Sequence, residues 1–271
     1  MSAFKDLLKM GRVMRHKGDR GLEKVAFMIE LNEVTKNFNS RKVLSGVDLK
    51  VKTGETLAVI GPSGCGKSTL LRLIIGLFRP DSGTILVGGE DVTRLDSEGM
   101  NDLREHLGMV FQSSALFDSL TVSENVAFGL REHLDLREKE IASIVSEKLE
   151  LVGLSGIESH MPSELSGGMQ KRVSLARAIA TNPEIILYDE PTTGLDPITA
   201  TSIENLMIDL HKILHITAVV VTHMMSTVYR VADRIVMLSE GRLIEAGTPE
   251  ETKNSNNPTI RQFVTGGAGS Q

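Results

Sequence analysis

Disulfides are the first thing this sequence excludes: its only cysteine is Cys65, so none can form within the chain. That usage fits a reducing compartment. Long apolar runs are also missing. A helix needs about 20 consecutive apolar residues to cross a bilayer, and the best stretch, Leu70 to Phe78, is short and broken by Arg72. The N-terminal segment lacks the continuous apolar region of a secretory signal peptide. A membrane role would therefore need a second chain to supply the spanning part. Positive charge is not in excess either. The net charge is −5, and an acidic chain lacks the basic footprint of a nucleic-acid binder. No heptad run of any length is present to build a coiled-coil arm.

What remains is ordinary globular material, with 41% hydrophobic and 24% charged residues over 271 positions. That length suits one large α/β domain, or one domain with a subdomain. The charge is uneven. Residues 1–28 hold seven basic residues against three acidic ones, a net of +4, which leaves −9 for the rest. Phe4, Leu7, Leu8, Val13 and Met14 make a short apolar stripe among those basic residues. Two readings stay open: an amphipathic helix on an anionic membrane surface, or a loose extension with Met28 as an alternative start.

Ile29–Val34 and Val47–Val51 alternate as half-buried strands do, and Lys52–Glu55 reads as a turn. Thr56–Ile60 is an apolar strand that runs into a glycine-rich loop, followed by a helix from about 67 to 76 and a strand over 81–87. From about 97 to 181 the pattern is helical, with Val126, Leu130 and Leu134 and then Ile141, Ile144, Val145, Leu149 and Val152 at helical spacing. Beyond Pro183 the alternation of strand and helix resumes. Ile185–Tyr188 and Ala218–Val221 are continuous apolar runs, as in parallel strands buried on both faces. Ile235–Leu238 and Arg242–Ile244 predict a late hairpin, and glycine enriches the end of the chain.

Gly61-Pro62-Ser63-Gly64-Cys65-Gly66-Lys67-Ser68 fits G-x-x-x-x-G-K-[ST] between a strand and a helix. Its glycines let backbone N–H groups surround phosphate, and the helix N-terminus adds partial positive charge. Lys67 would reach the β- and γ-phosphates, Ser68 would ligate Mg²⁺, and Thr69 follows in the same phosphate set. The Cys65 thiol is either activated by that helix N-terminus or simply small enough to fit. Asp189 ends an apolar strand, where α/β sheets bind ligands, and suits support of Mg²⁺. Glu190 follows it as a base for the attacking water. His223 ends the other buried strand at a similar edge. His211 and His215, four apart on a predicted helix, read as a solvated face.

Leu165-Ser166-Gly167-Gly168-Met169-Gln170 resembles the signature motif of ABC ATPases, L-S-G-G-x-Q, and opens a second helix, about 168–181. The resemblance implies that each ATP lies between the phosphate loop of one subunit and Ser166, Gly167 and Gly168 of a second copy, head to tail. It implies that Gln112 senses Mg²⁺ and the γ-phosphate. Asp196, in Thr193-Gly194-Leu195-Asp196, falls in the loop that crosses the interface. Glu190 matches the catalytic glutamate and His223 the switch histidine, both acting with Lys67, while Phe38 is the candidate for stacking on adenine. The implied fold is α/β, an ABC-type P-loop NTPase nucleotide-binding domain with a RecA-like core, an antiparallel β subdomain and a helical subdomain near 113–165. The domain spans 28–264, between a basic extension (1–27) and a flexible tail (265–271).

Finer segments resemble the ATPases of bacterial MCE-associated lipid transporters, the Mla type. These are Phe111–Phe117, Leu130–His133, Met161–Leu165, Asp196–Thr199 and Ile260–Phe263. That resemblance implies phospholipid transport between bacterial inner and outer membranes. The ATPase would sit at the cytoplasmic face of the inner membrane on two copies of a permease, through a surface lined by Ser113–Leu120. An MCE-domain protein would be its partner, the family can also carry a small STAS-domain protein, and no nucleic acid would be bound. ATPases of polar amino-acid importers share several of these segments and stay as the alternative. An ABC ATPase without transport would carry coiled-coil insertions, zinc modules or two cassettes, none of which this sequence shows.

Overall fold

The computed structural model describes residues 26–39 and 41–266. The basic segment up to residue 25 and the tail from 267 lie outside the described residues, and with them most of what was expected of both termini. In chain order the elements are β1 (Phe27–Phe38), β2 (Arg41–Lys52), β3 (Thr56–Ile60), α1 (Lys67–Ile74), β4 (Ser82–Val87), β5 (Glu90–Asp91), α2 (Ser97–Glu105) and β6 (Leu107–Val110). Then come α3 (Val122–His133), α4 (Glu138–Leu151), a 3₁₀ turn at Pro162–Glu164, α5 (Gly167–Ala178), β7 (Ile185–Asp189) and α6 (Pro197–Leu214). The chain continues through β8 (Thr217–Val221), α7 (Met225–Val231), β9 (Arg234–Ser239), β10 (Arg242–Gly247), α8 (Pro249–Lys253) and α9 (Pro258–Val264).

Two sheets organise these elements. One is antiparallel, in the order β2-β1-β4-β5; the other runs β10-β9-β3-β8-β7-β6. In the second, β9, β3, β8, β7 and β6 are mutually parallel and β10 is antiparallel to β9. Parallel strands covered on both faces read as continuous apolar runs, and here they divide residue by residue. Leu57, Val59, Ile185, Leu187, Val219 and Val221 point into a core shared with the antiparallel sheet and α1. Ile186, Tyr188, Ala218 and Val220 join a second core with α3, α4, α5 and α6. Ala58 and Ile60 face a third, smaller core that Ile260 of α9 helps to close.

The structure departs from the helical expectation for 97–181 at β6. Leu107-Gly108-Met109-Val110 is a buried strand paired with β7. Four residues are too few to show a period, and only β7 makes them a strand. Gly108 admits close packing: a Cβ there would lie 2.4 Å from the Ala178 carbonyl at the end of α5. The apolar spacing over 123–152 belongs to two helices, divided where Leu134 turns extended (φ −121°, ψ 137°). Thr121 begins the first with a reciprocal cap, accepting from the Glu124 amide while Glu124 accepts from the Thr121 amide. No helix among the described residues is long and apolar enough to cross a membrane.

Candidate functional site

The loop between β3 and α1 is shaped by glycines in backbone conformations that other residues rarely adopt. Gly61 has φ 149°, and a Cβ on it would lie 2.3 Å from the Leu238 carbonyl. Gly66 has φ 114° and begins α1 with no side chain capping the helix. The first amides of a helix have no partner within it, so those of α1 are open to an anion. Lys67 is buried, and its Nζ donates to the Gly61 and Pro62 carbonyls at 2.8 and 3.1 Å. Arg41, at the start of β2, donates to the Gly64 carbonyl at 2.9 Å. This brings the β1–β2 hairpin end onto the loop, where Phe38 lies exposed, edge-on to Phe78 at 5.4 Å. Burial pushes the Cys65 thiol up, against the lowering pull of Lys67. Of the two readings of Cys65, this favours the small residue packed in the loop over the activated thiol.

Asp189 and Glu190 stand at the carboxyl end of β7, next to this loop. Ser68 Oγ donates to Asp189 Oδ1 at 2.9 Å. Burial pushes the Asp189 carboxyl above its usual value, although the Ser68 hydrogen bond and the Arg72 charge oppose it. Glu190 has a left-handed backbone (φ 49°), a conformation that costs a non-glycine residue about 1–3 kcal/mol. Its carboxylate is held from three sides. Thr222 and Thr193 hydroxyls donate to Oε2 at 2.9 and 3.0 Å, and His223 Nδ1 lies 2.8 Å from Oε1. An ionised carboxylate only accepts, so His223 donates through Nδ1. Burial opposes the Glu190 charge, but hydrogen bonds from His223, Thr222 and Thr193 outweigh it and set its carboxyl below the usual value. Thr222 is fully buried and also accepts from the Met224 amide.

The expected residues fall into two groups. The loop at 61–68, Asp189, Glu190 and His223 meet at the carboxyl ends of β3, β7 and β8. Ser166, Gly167 and Gly168 sit elsewhere, against the start of α6. A Cβ on Gly168 would lie 2.7 Å from Thr199 Cγ2, and one on Gly167 would lie 3.9 Å from Leu195 Cδ2. Ser166 Oγ accepts from the Met169 amide, and Asp196 caps α6 by accepting from the Ile198 and Thr199 amides. Gln112 is exposed in the loop after β6, and its carbonyl accepts from Lys171 at 2.8 Å. Burial lowers the Lys171 ammonium to about 8, with the Asp189 charge pulling the other way. Thr222, Lys171 and Arg177 have no role assigned by the sequence, and Thr193 figures there only as the first residue of the interface-loop motif. A threonine between a buried strand and a histidine was the only signal available for Thr222.

His211 is not on a solvated face: it is half-buried, and its Nδ1 lies 3.2 Å from Thr56 Oγ1. It lines a cavity of about 240 Å³ beside the amino end of β3, with Met207 and Ile216, which shares no residue with the phosphate loop.

Comparison with known proteins bears directly on this arrangement. The sequence model of the family described as ABC transporter matches residues 44–193. The chloroplastic protein TRIGALACTOSYLDIACYLGLYCEROL 3 of Arabidopsis thaliana is 44% identical, over 97% of this chain and 80% of its own. The intermembrane phospholipid transport system ATP-binding protein MlaF of Haemophilus influenzae is 43% identical, over 88% of this chain and 90% of its own. Among solved structures, the dimeric ATP-binding cassette MJ0796 in a post-hydrolysis state with ADP and Pi aligns with a TM-score of 0.76. It is 34% identical and covers 82% of this chain and 99% of that one. With the phosphate loop, the paired acidic residues and the second glycine-rich helix start all in place, the chain belongs to the ABC transporter family, as its ATP-hydrolysing cassette.

Proposed function

We propose that this chain is the ATPase of a transporter that moves phospholipid between the inner and outer membranes of a bacterium, seated on the cytoplasmic face of the inner membrane. The observation that carries the hydrolytic part is the Glu190 carboxylate, ionised and aimed by three hydrogen bonds beside the phosphate loop. The lipid part is supported by the relative whose name gives it that role.

Lys67 exchanges the Gly61 and Pro62 carbonyls for β- and γ-phosphate oxygens, and Phe38 offers its exposed ring to adenine. Glu190 accepts the proton of the attacking water, a role that contributes ~10²–10⁴-fold when the base is well placed. With Nδ1 of His223 committed to Glu190, Nε2 is the atom left to meet the γ-phosphate. Ser68 Oγ and Asp189 Oδ1 are hard oxygen donors set side by side, and they fit Mg²⁺, with Gln112 as the further donor. An ion held there would keep waters and substrate phosphates as its other ligands. Bound there, it would neutralise charge on the phosphates.

The second copy is supported by the dimeric cassette to which the chain is similar and by the sheet order. β3 and β6 are separated by β8 and β7, three strand spacings or about 14 Å. Since α5 packs its C-terminus on Gly108 and reaches the end of β6 with Lys171, its N-terminus extends beyond the carboxyl end of that strand. The loop and Ser166 thus belong to different strands of the sheet, and the partner's signature closes each site. The permease docks beside Gln112. There Phe117 and Phe128, exposed and with ring centres 4.8 Å apart, offer an apolar pair. An MCE-domain protein and a STAS-domain protein complete the assembly.

Glu190→Gln should trap an ATP-bound dimer detectable by size; hydrolysis at the wild-type rate would sink the assignment of the base. Purification with the membrane partner should bring phospholipid and an MCE protein. A solute-binding protein in their place would instead support amino-acid import.

A further inference from the structure

We infer that Lys171 and Arg177 strap the Gln112 loop to the signature helix α5, so that the loop serving a subunit's own nucleotide moves with the helix serving its partner's. The Lys171 side chain is buried, and its Nζ donates to the carbonyls of Phe111 and Gln112 at 3.0 and 2.8 Å. Arg177, six residues and about 9 Å further along the helix, donates to the carbonyls of Ala115 and Ser114 at 2.7 and 2.9 Å. Two cations of one helix therefore take four carbonyls of one short loop. The loop needs such restraint. Ser114 and Ala115 are consecutive non-glycine residues at φ 61° and 48°, a backbone that persists only when its surroundings over-determine it.

The far end of the loop is tied to the same helical layer. Asn125 of α3 is fully buried, accepts from the Phe117 amide at 2.8 Å, and donates to the carbonyls of Phe117 and Leu120. α3 and α5 share one core. Residues 111–120 thus belong mechanically to the helical layer, although Val110, just before them, is a strand residue of the parallel sheet. A shift of α5 on meeting the second subunit's nucleotide is passed through Lys171 to the backbone of Gln112. The strap itself follows from the geometry of one chain. Its consequence for coupling rests on the head-to-tail dimer proposed above.

The test uses the full chain and two variants: Lys171→Met, which keeps length and removes the donors, and Lys171→Arg, which restores them. Without nucleotide, amide hydrogen exchange over 112–116 should rise about tenfold or more in Lys171→Met, as expected when charged hydrogen bonds are lost. Exchange in β3 and β7 should stay as in wild type, and Lys171→Arg should recover most of the protection. The ATP dependence of hydrolysis should lose its cooperativity in Lys171→Met, the Hill coefficient falling toward about one, and regain it in Lys171→Arg. Unchanged exchange over 112–116 overturns the strap. Faster exchange with undiminished cooperativity overturns the coupling. If Lys171→Met does not fold, Lys171→Gln is read in the same two assays by the same criteria. Failure of Glu190→Gln to pair in ATP would count against the dimer alone, since the exchange measurement needs no second subunit.

Discussion

Two helices of this protein begin at glycine-rich turns proposed to meet phosphate, and they differ in what fills those ends meanwhile. α1 begins at Gly66 with no capping side chain. α5 begins at Ser166, whose own hydroxyl takes the Met169 amide. An uncapped helix start leaves donors unpaired, so the phosphate loop stands ready for an anion within a single chain, and Lys67 waits on the loop's own carbonyls. At the signature helix one of those donors, the Met169 amide, already has a partner in the Ser166 hydroxyl. In the proposed dimer it would exchange this 3.3 Å cap for the phosphate of the second subunit.

The sharpest way to break this comparison is Lys67→Ala. Hydrogen bonds to charged groups contribute about 1.5–3 kcal/mol each, so ATP affinity should fall about 100-fold, measured by fluorescent-nucleotide titration of the isolated chain. A loss smaller than about threefold would mean that the loop's amides bind phosphate unaided. Phe38→Ala should follow, weakening nucleotide binding by about 5- to 50-fold if the ring stacks on the base. An equal loss for triphosphate lacking the base would show that Phe38 only packs on Phe78. Ser166→Ala tests the other end. Removing an N-cap hydroxyl costs about 1 kcal/mol, a few degrees in the melting temperature, and ATP-driven pairing should weaken as well. Normal pairing would show that the glycines alone make the second phosphate contact. The smallest effect is expected from deleting residues 1–25: ATPase rate and melting temperature should stay at wild-type values, and a loss of folding would place that segment within the domain.

Legibility followed the range of the contacts. The loop at 61–68 could be read because eight adjacent residues carry its chemistry, and the buried strands β7 and β8 because their apolar runs are unbroken. β6 could not, since four residues become a strand only against β7. The same limit hid Thr222 and Thr193. Their hydroxyls matter only because the backbone turns Glu190 toward them, and Thr222 lies 32 positions from that carboxylate. His211 was misread for a related reason: its partner, Thr56, is 155 positions away.

Local chemistry, then, was determined by the sequence alone: glycines that admit backbone amides to phosphate, a lysine and a serine to follow them, an acidic pair after an apolar strand, and a second glycine-rich helix start. Tertiary structure alone decided which of these share a site. It set Ser68 against Asp189 across 121 positions and packed the glycines after Ser166 against Leu195 and Thr199 at the start of α6. It also bound the Gln112 loop to α5 through Lys171. The physical reason is that sheet order and helix packing, which place distant residues side by side, arise from burying many apolar side chains together, and no short stretch of sequence encodes that sum.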